Sequence, residues 1–390
     1  MKLSNTYDYI IAGAGAAGLS LAWHLVHSEL DHKKVLIVDQ NLSPANDKTW
    51  CFWYKGDPPY AEIIHKSWKQ TEVYIRGTEV NETLTQFPYY CIQSGDFNQF
   101  VLKQLDKHPN IDLLESPIRE MTGSIRGATL STEDHNFEAD YIFQSCFSPQ
   151  NLDKSDIRYP LIQHFLGWEI KTDKPVFNAD SFILMDIDET YDSGMAFIYL
   201  LPWSSNKALI EYTIFSPSVE EAALYEKKLE LYLFNRFKLK RFNYNIERTE
   251  YGEIPMQDTP YLPTYDQNII NMGTVGGLTK PSTGYTFSRI QHHAQAIVES
   301  LIKSGKPALP PKSDFRYRAY DLWLLQILYD TPHRGISVFH DLFTKNSVDS
   351  IFKFLGEQTS FSEDLKIMSS VPYAPFFKAI WETRKRLFEI

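Results

Sequence analysis

Apolar positions along this chain change their spacing several times, and each change marks a new element. Residues 9–11 are a short solid apolar run, and residues 35–38 are another. Runs of this kind read as strands covered on both faces. Between them, residues 19–26 are amphipathic at helical spacing, so the opening reads strand, helix, strand. Alternating runs at 71–75 and 83–92 predict a small sheet inserted after it, and residues 96–105 predict a helix with Asp96 near its start. Residues 111–114 and 139–143 read as further strands, the second returning to the first sheet after a polar turn at 130–136. Residues 148–158 are polar and expected at the surface.

A second region follows. The runs at 167–172, 181–187, 195–202 and 207–215 alternate too strongly for helical crossovers, and they predict an antiparallel or mixed sheet. Residues 220–237 form a charged amphipathic helix whose ion pairs read as a solvated face. After residue 243 a proline-rich turn leads to a strand-like run at 268–273, then to a glycine- and proline-bearing loop and a long helix. Residues 313–390 show helical apolar spacing with many aromatics and both charge signs on the polar faces. The fold class is therefore α/β: a Rossmann-like dinucleotide-binding domain, a mixed or antiparallel-sheet substrate domain, and a C-terminal helical region. The expected division is 1–150 for the first part of the nucleotide domain, 151–245 for the substrate sheet, 246–305 for the return to the nucleotide domain, and 306–390 for a helical cap.

The turn between the first strand and the first helix carries Gly13, Gly15 and Gly18, with Ala16 and Ala17 between them. Asp39, 21 residues beyond Gly18, ends the second strand. This is the dinucleotide fingerprint in full context. Gly13 permits the turn, Gly15 lets the backbone approach a pyrophosphate, and Gly18 lets helix and strand pack closely. Asp39 is suited to a ribose 2′-hydroxyl and disfavours a phosphate there. Lys48 and Thr49 are further candidates for nucleotide contact, beside an aromatic patch of Trp50, Phe52 and Trp53 that either packs or borders a ligand.

Composition narrows the partners. A net charge of -10 argues against a general nucleic-acid surface. Cys51, Cys91 and Cys146 match neither a metal-ligand spacing nor a disulfide framework, which predicts a reducing cytoplasm. The opening lacks the features of a signal peptide, and no run approaches the roughly 20 apolar residues of a membrane span. Adjacent His292 and His293 read as helical polar residues rather than metal ligands.

Three separated stretches are distinctive together: GAGAAGLSLA at 13–22, MAFIYLLPWSSNKALIEYT at 195–213, and GTVGGLTKPSTGYTFSRIQ at 273–291, supported by NDKTWCFW at 46–53 and ILMDID at 183–188. The chain resembles the flavin-dependent lycopene cyclases of the bacterial and plant type over nearly its whole length. The resemblance implies FAD in its reduced form, NAD(P)H as the source of electrons, and lycopene or a related linear carotenoid as substrate. It implies a redox-neutral cyclisation of psi ends to beta rings. Glu211 then becomes the leading acid or charge-stabilising group, with Asp186 as a supporting residue. The family's second acidic position is Tyr212 here, which weakens any mechanism needing two adjacent acids. Gly276, Gly277, Thr283, Gly284 and Tyr285 are expected as a second flavin-contact group. A substrate this apolar further implies peripheral contact with the inner face of the cell membrane, made by the aromatic tail. The competing readings are an FAD-dependent monooxygenase or other oxidoreductase, disfavoured because no Asp-Gly pair follows residue 140, and a noncatalytic flavin- or carotenoid-binding protein.

Overall fold

The computed structural model describes residues 3–43, 45–146, 156–191, 193–259 and 261–389. Its first sheet has five parallel strands in the order Ile269–Asn271, Asn136–Gln144, Thr6–Ala12, Val35–Asp39 and Ile111–Glu115. Ile10, Ile11, Leu36 and Ile37 have no solvent exposure. That is what solid apolar runs in a parallel sheet require, since crossovers cover both faces. Helix Ala16–Val26 makes the first crossover and packs between helices Ser94–Leu105 and Phe287–Ser304.

The second sheet has seven strands: Tyr244–Met256, Leu161–Thr172, Lys207–Ser216, Met195–Ser204, Ser181–Asp188, Gln70–Ile75 and Thr78–Thr83, in that order. All pairs are antiparallel except Ser181–Asp188 with Gln70–Ile75. Two expectations change here. The small inserted sheet consists of Thr49–Trp53, Tyr89–Gln93 and Lys66–Trp68, while the run at 71–75 extends the large sheet instead. The boundary drawn between 245 and 246 cuts through Tyr244–Met256, which pairs with Leu161–Thr172 along its length. The composition shift at 243 marks the start of a long edge strand, not a change of sheet. Most of the polar stretch at 148–158, with the boundary at 150, lies outside the described residues.

One face of the second sheet is covered by helix Ala222–Phe237, through a core that includes Ile198, Ile210, Ile214, Leu229 and Leu233. The other face looks toward the helices Phe315–Asp330, Pro332–Lys345, Val348–Leu355, Phe361–Ser370 and Tyr373–Thr383. The C-terminal region is thus the expected helical one. It is tied back by Arg386, whose buried guanidinium donates to Asp258 Oδ2 at 2.7 Å and to Asp156 Oδ1 at 3.0 Å. Asp258 also accepts the backbone N–H groups of Arg158 and Tyr159.

Removing the cation leaves a buried carboxylate without its counter-charge. Arg386→Leu is expected to cost about 3 kcal/mol, since the two backbone donors remain. Denaturant unfolding at neutral pH measures it, and a loss within the ~0.5 kcal/mol of ordinary surface substitutions would remove the latch from the account.

Candidate active site

A cavity of about 1130 Å³ runs from the glycine turn, past the second sheet, to the C-terminal helices. Gly13, Gly15, Ala16, Ala17 and Asp39 line its polar end. Gly13 has φ of 104°, and a Cβ there would stand 2.6 Å from Ser145 Oγ. At Gly18 a Cβ would meet the Gly13 carbonyl oxygen at 1.9 Å, so this glycine sets the helix-to-strand approach rather than touching the cavity. Gly15 has open space beside it. The first turn of Ala16–Val26 therefore presents backbone and the positive end of the helix dipole to an anion. Asp39 Oδ2 accepts the Ala14 N–H at 2.6 Å, which holds the carboxylate at the mouth of the turn.

The loop after Ile269–Asn271 forms the facing wall. Gly273, with φ of 60°, and Thr274 line the cavity, as do Thr283, Gly284 and Tyr285. Gly276 and Gly277 do not. They line a separate hollow of about 140 Å³, and a Cβ on Gly277 would stand 2.9 Å from Tyr261 Cβ. The short helical turn Gly273–Gly276 rotates them behind the loop, so Gly273 and Thr274 occupy the position expected of them. The Thr283 hydroxyl is buried and has no hydrogen-bond partner among the described residues. An open glycine on one wall and an unsatisfied hydroxyl on the other fit an elongated polar cofactor such as FAD. Lys280 fixes this loop to the helices through ion pairs to Asp321 and Glu357, both at 3.0 Å.

Glu211 lies at the middle of the cavity, on Lys207–Ser216. Strand parity sends Phe197, Tyr199, Glu211 and Thr213 to the cavity face and Ile198, Tyr212 and Ile214 to the helix face. Tyr212 accordingly donates to Asp188 Oδ2 at 2.7 Å beneath the helix Ala222–Phe237. Tyr212, where the resemblance implies a second acid, thus points away from the cavity and is not part of its wall. Asp186 is corrected on the same ground. A β-bulge between Ile183 and Asp186 shifts the alternation, Leu184 and Met185 line the cavity, and Asp186 accepts the Tyr232 hydroxyl at 3.0 Å on the helix face.

A second cavity acid, Glu250, was not among the sequence candidates. Gly167 pairs with Glu211 on one side and with Glu250 on the other, so the two acids share one cross-strand row and one face. Only the register of three strands shows this, although the glycine inside the 167–172 run was a readable hint of close approach. Glu250 accepts both the N–H and the hydroxyl of Thr49 at 2.7 Å, and Arg248 Nη1–H at 2.9 Å. Thr49 thus spends its donors on Glu250, and it lines the cavity together with Lys48, Trp50 and Cys51. Trp53 packs instead, stacked on Phe352 at 4.5 Å. Across from Glu211, the hydroxyls of Tyr199 and Tyr285 each bond Tyr89, at 2.8 and 2.9 Å.

The Glu211 carboxyl makes no hydrogen bond among the described residues and is only 8% exposed. Burial pushes its pKa well above the ordinary carboxylate range, with the nearby Glu250 adding to the shift and Arg248 opposing it. For a carboxyl raised in the folded state, stability is fully present below the unfolded pKa and is lost as pH rises through the folded value. The thermal midpoint is therefore expected to fall, as pH rises above the ordinary carboxylate range, more steeply for the natural chain than for Glu211→Gln. Parallel melting-temperature profiles would show the carboxyl to be water-accessible instead.

Beyond Glu211 the walls become apolar: Phe339, Phe343, Phe352, Ile367, Val371 and Phe376 complete the cavity. Comparison with known proteins gives the arrangement its context. The chain is 23% identical to the lycopene beta-cyclase of Pantoea ananas over 400 residues, covering 96% of this chain and 97% of that protein. It is 22% identical to the chloroplastic lycopene beta cyclase of Arabidopsis thaliana, where the match takes in 78% of this chain and 62% of the plant protein. Among solved structures, a halogenase crystallised with FAD superposes with a TM-score of 0.58 at 13% identity, covering 93% and 85% of the two chains. The family model described as lycopene cyclase protein matches residues 8–381, and the chain belongs to that family.

Proposed function

We propose that this chain is a lycopene beta-cyclase, an isomerase that closes the psi ends of lycopene into beta rings with reduced FAD bound and NAD(P)H as the electron source. The observation that carries the reading is the position of Glu211: a buried carboxyl without a hydrogen-bond partner among the described residues, between the glycine-walled and apolar ends of one cavity. Gly13, Gly15, Ala16, Ala17 and Asp39 would hold the adenosine and pyrophosphate, with Gly273, Thr274, Thr283, Gly284 and Tyr285 around the remainder. When bound, reduced FAD supplies negative charge beside developing positive charge.

The protein groups account for the proton steps. Glu211 gives its proton to the terminal double bond of the polyene, the neighbouring double bond attacks the resulting cation, and a ring closes. The carboxylate left on Glu211 then takes one proton from the ring and leaves an alkene, so substrate and product have the same composition and no electrons are transferred. An apolar pocket keeps water from trapping the cation. The aromatic rings of Tyr89, Tyr199 and Tyr285 present electron-rich groups to the same space.

Anaerobic incubation with lycopene, FAD and a reductant, followed by resolution of the product rings, tests the reading. Beta-ring products are expected without stoichiometric oxidation of the reductant, and aerobic turnover should consume no oxygen in proportion to product. Glu211→Gln is expected to lower turnover by about 10²- to 10⁴-fold while retaining FAD. No cyclisation by folded, flavin-loaded protein would overturn the assignment.

Membrane delivery belongs to the same proposal. Tyr373, Phe377 and Trp381 recur at helical spacing on Tyr373–Thr383 and are 60%, 70% and 68% exposed. Phe376, beside them, lines the cavity. No helix among the described residues is long and apolar enough to cross a membrane. A helix with one side in the cavity and aromatic rings outside suits shallow insertion into one leaflet. The double variant Phe377→Ser and Trp381→Ser should co-sediment less with anionic phospholipid vesicles; equal association of both proteins would count against this surface.

A further inference from the structure

The Glu211–Gly167–Glu250 row carries a consequence for how the acid is kept ready. Strands two apart in a sheet are separated by roughly 10 Å, a gap that ordinary side chains fill. Here the middle position is Gly167, and a Cβ on it would meet Glu211 Cγ at 2.8 Å and Glu211 Oε1 at 3.4 Å. The Glu211 side chain therefore leans over the glycine, toward the strand that bears Glu250. Both acids line the same cavity, yet their surroundings differ sharply. Glu250 is anchored by the Thr49 N–H, the Thr49 hydroxyl and Arg248, three donors that favour a carboxylate anion. Arg248 is itself shared with Glu169, which also pairs with Lys207.

We propose that Glu250 is the second carboxylate of the site, a positioning residue whose anchored negative charge, facing Glu211 across Gly167, keeps the transferable proton on Glu211. The proposal rests on the cyclase reading for its purpose but on register and hydrogen bonding for its content. The other titratable groups around Glu211 are the thiol of Cys51 and the phenols of Tyr199, Tyr89 and Tyr285. Burial raises the pKa values of the three phenols, and Arg248 brings the positive charge that opposes Glu250. Burial leaves Glu250 raised on balance as well, but the Thr49 and Arg248 donors limit the rise, whereas Glu211 has no such donors. Two carboxyls whose environments drive them apart in this way divide into a proton holder and an anion.

The test reads the proton directly. In purified FAD-loaded protein, the infrared band of a protonated carboxyl that disappears in Glu211→Gln is titrated with pH. Glu250→Gln should weaken the proton affinity of Glu211 about tenfold or more, moving the midpoint down. Glu250→Asp should leave it near that of the natural chain. Arg248→Gln leaves Glu250 held by the two Thr49 donors and removes a positive charge that favours ionised Glu211, so the midpoint should move up. General damage to the sheet would not shift the two variants in opposite directions. An unmoved midpoint in Glu250→Gln, or a shift of the same sign in Arg248→Gln, overturns the proposal. Failure is distinguishable from failure of the cyclase reading: turnover by the natural chain with an unmoved midpoint removes the pair alone, whereas opposite midpoint shifts without cyclase activity support the pair and remove the cyclase.

Discussion

An ionised carboxylate surrounded by apolar groups costs several kcal/mol, and a protein avoids that cost either by supplying donors or by leaving the proton in place. The centre of this cavity takes the second course. Arg248, close enough to influence Glu211, gives its hydrogen bonds to Glu250 and Glu169 instead. Gly167 withholds a side chain from the one position where it would crowd the acid. Tyr199 and Tyr285 direct their hydroxyls to Tyr89. The surroundings thus share one property: none of them gives Glu211 a hydrogen bond, and the charge of Arg248 alone among them favours its ionised form.

That property sets the order of chemistry along the cavity. Backbone and a helix terminus form the end suited to phosphates, because glycines at 13 and 273 adopt left-handed conformations that expose the chain. Phenylalanines and aliphatic side chains from the C-terminal helices form the other end. The second sheet lies between them, and its strand alternation decides which groups face inward. The proposed redox-neutral reaction suits this layout, in which the buried carboxyl of Glu211 and the glycine-walled end border one cavity.

Local patterns in the sequence made the first sheet and the C-terminal helices legible, because solid runs, glycine turns and helical spacing are properties of neighbouring residues. Glu211 was legible for a different reason, since its flanking segment resembles a known family. Asp186 was misread because a β-bulge changes the parity of its strand, and no local pattern announces the bulge. Glu250 was missed because its significance depends on pairing across Gly167 with a residue about 40 positions away. Gly276 and Gly277 were expected at the cofactor because glycines permit close backbone passage, but the short helical turn Gly273–Gly276 leaves them lining the hollow beside Tyr261 instead.

The bond from Thr49 to Glu250 spans 201 residues, and the latch from Arg386 to Asp258 spans 128. Contacts of such separation form after local helices and hairpins, because the chain must first lose the entropy of closing long loops. During that interval the aromatic faces of the C-terminal helices have no sheet to cover them. Any molecule whose helices form before that sheet exposes those faces, and exposed apolar surface of this kind is what makes partly folded chains prone to association.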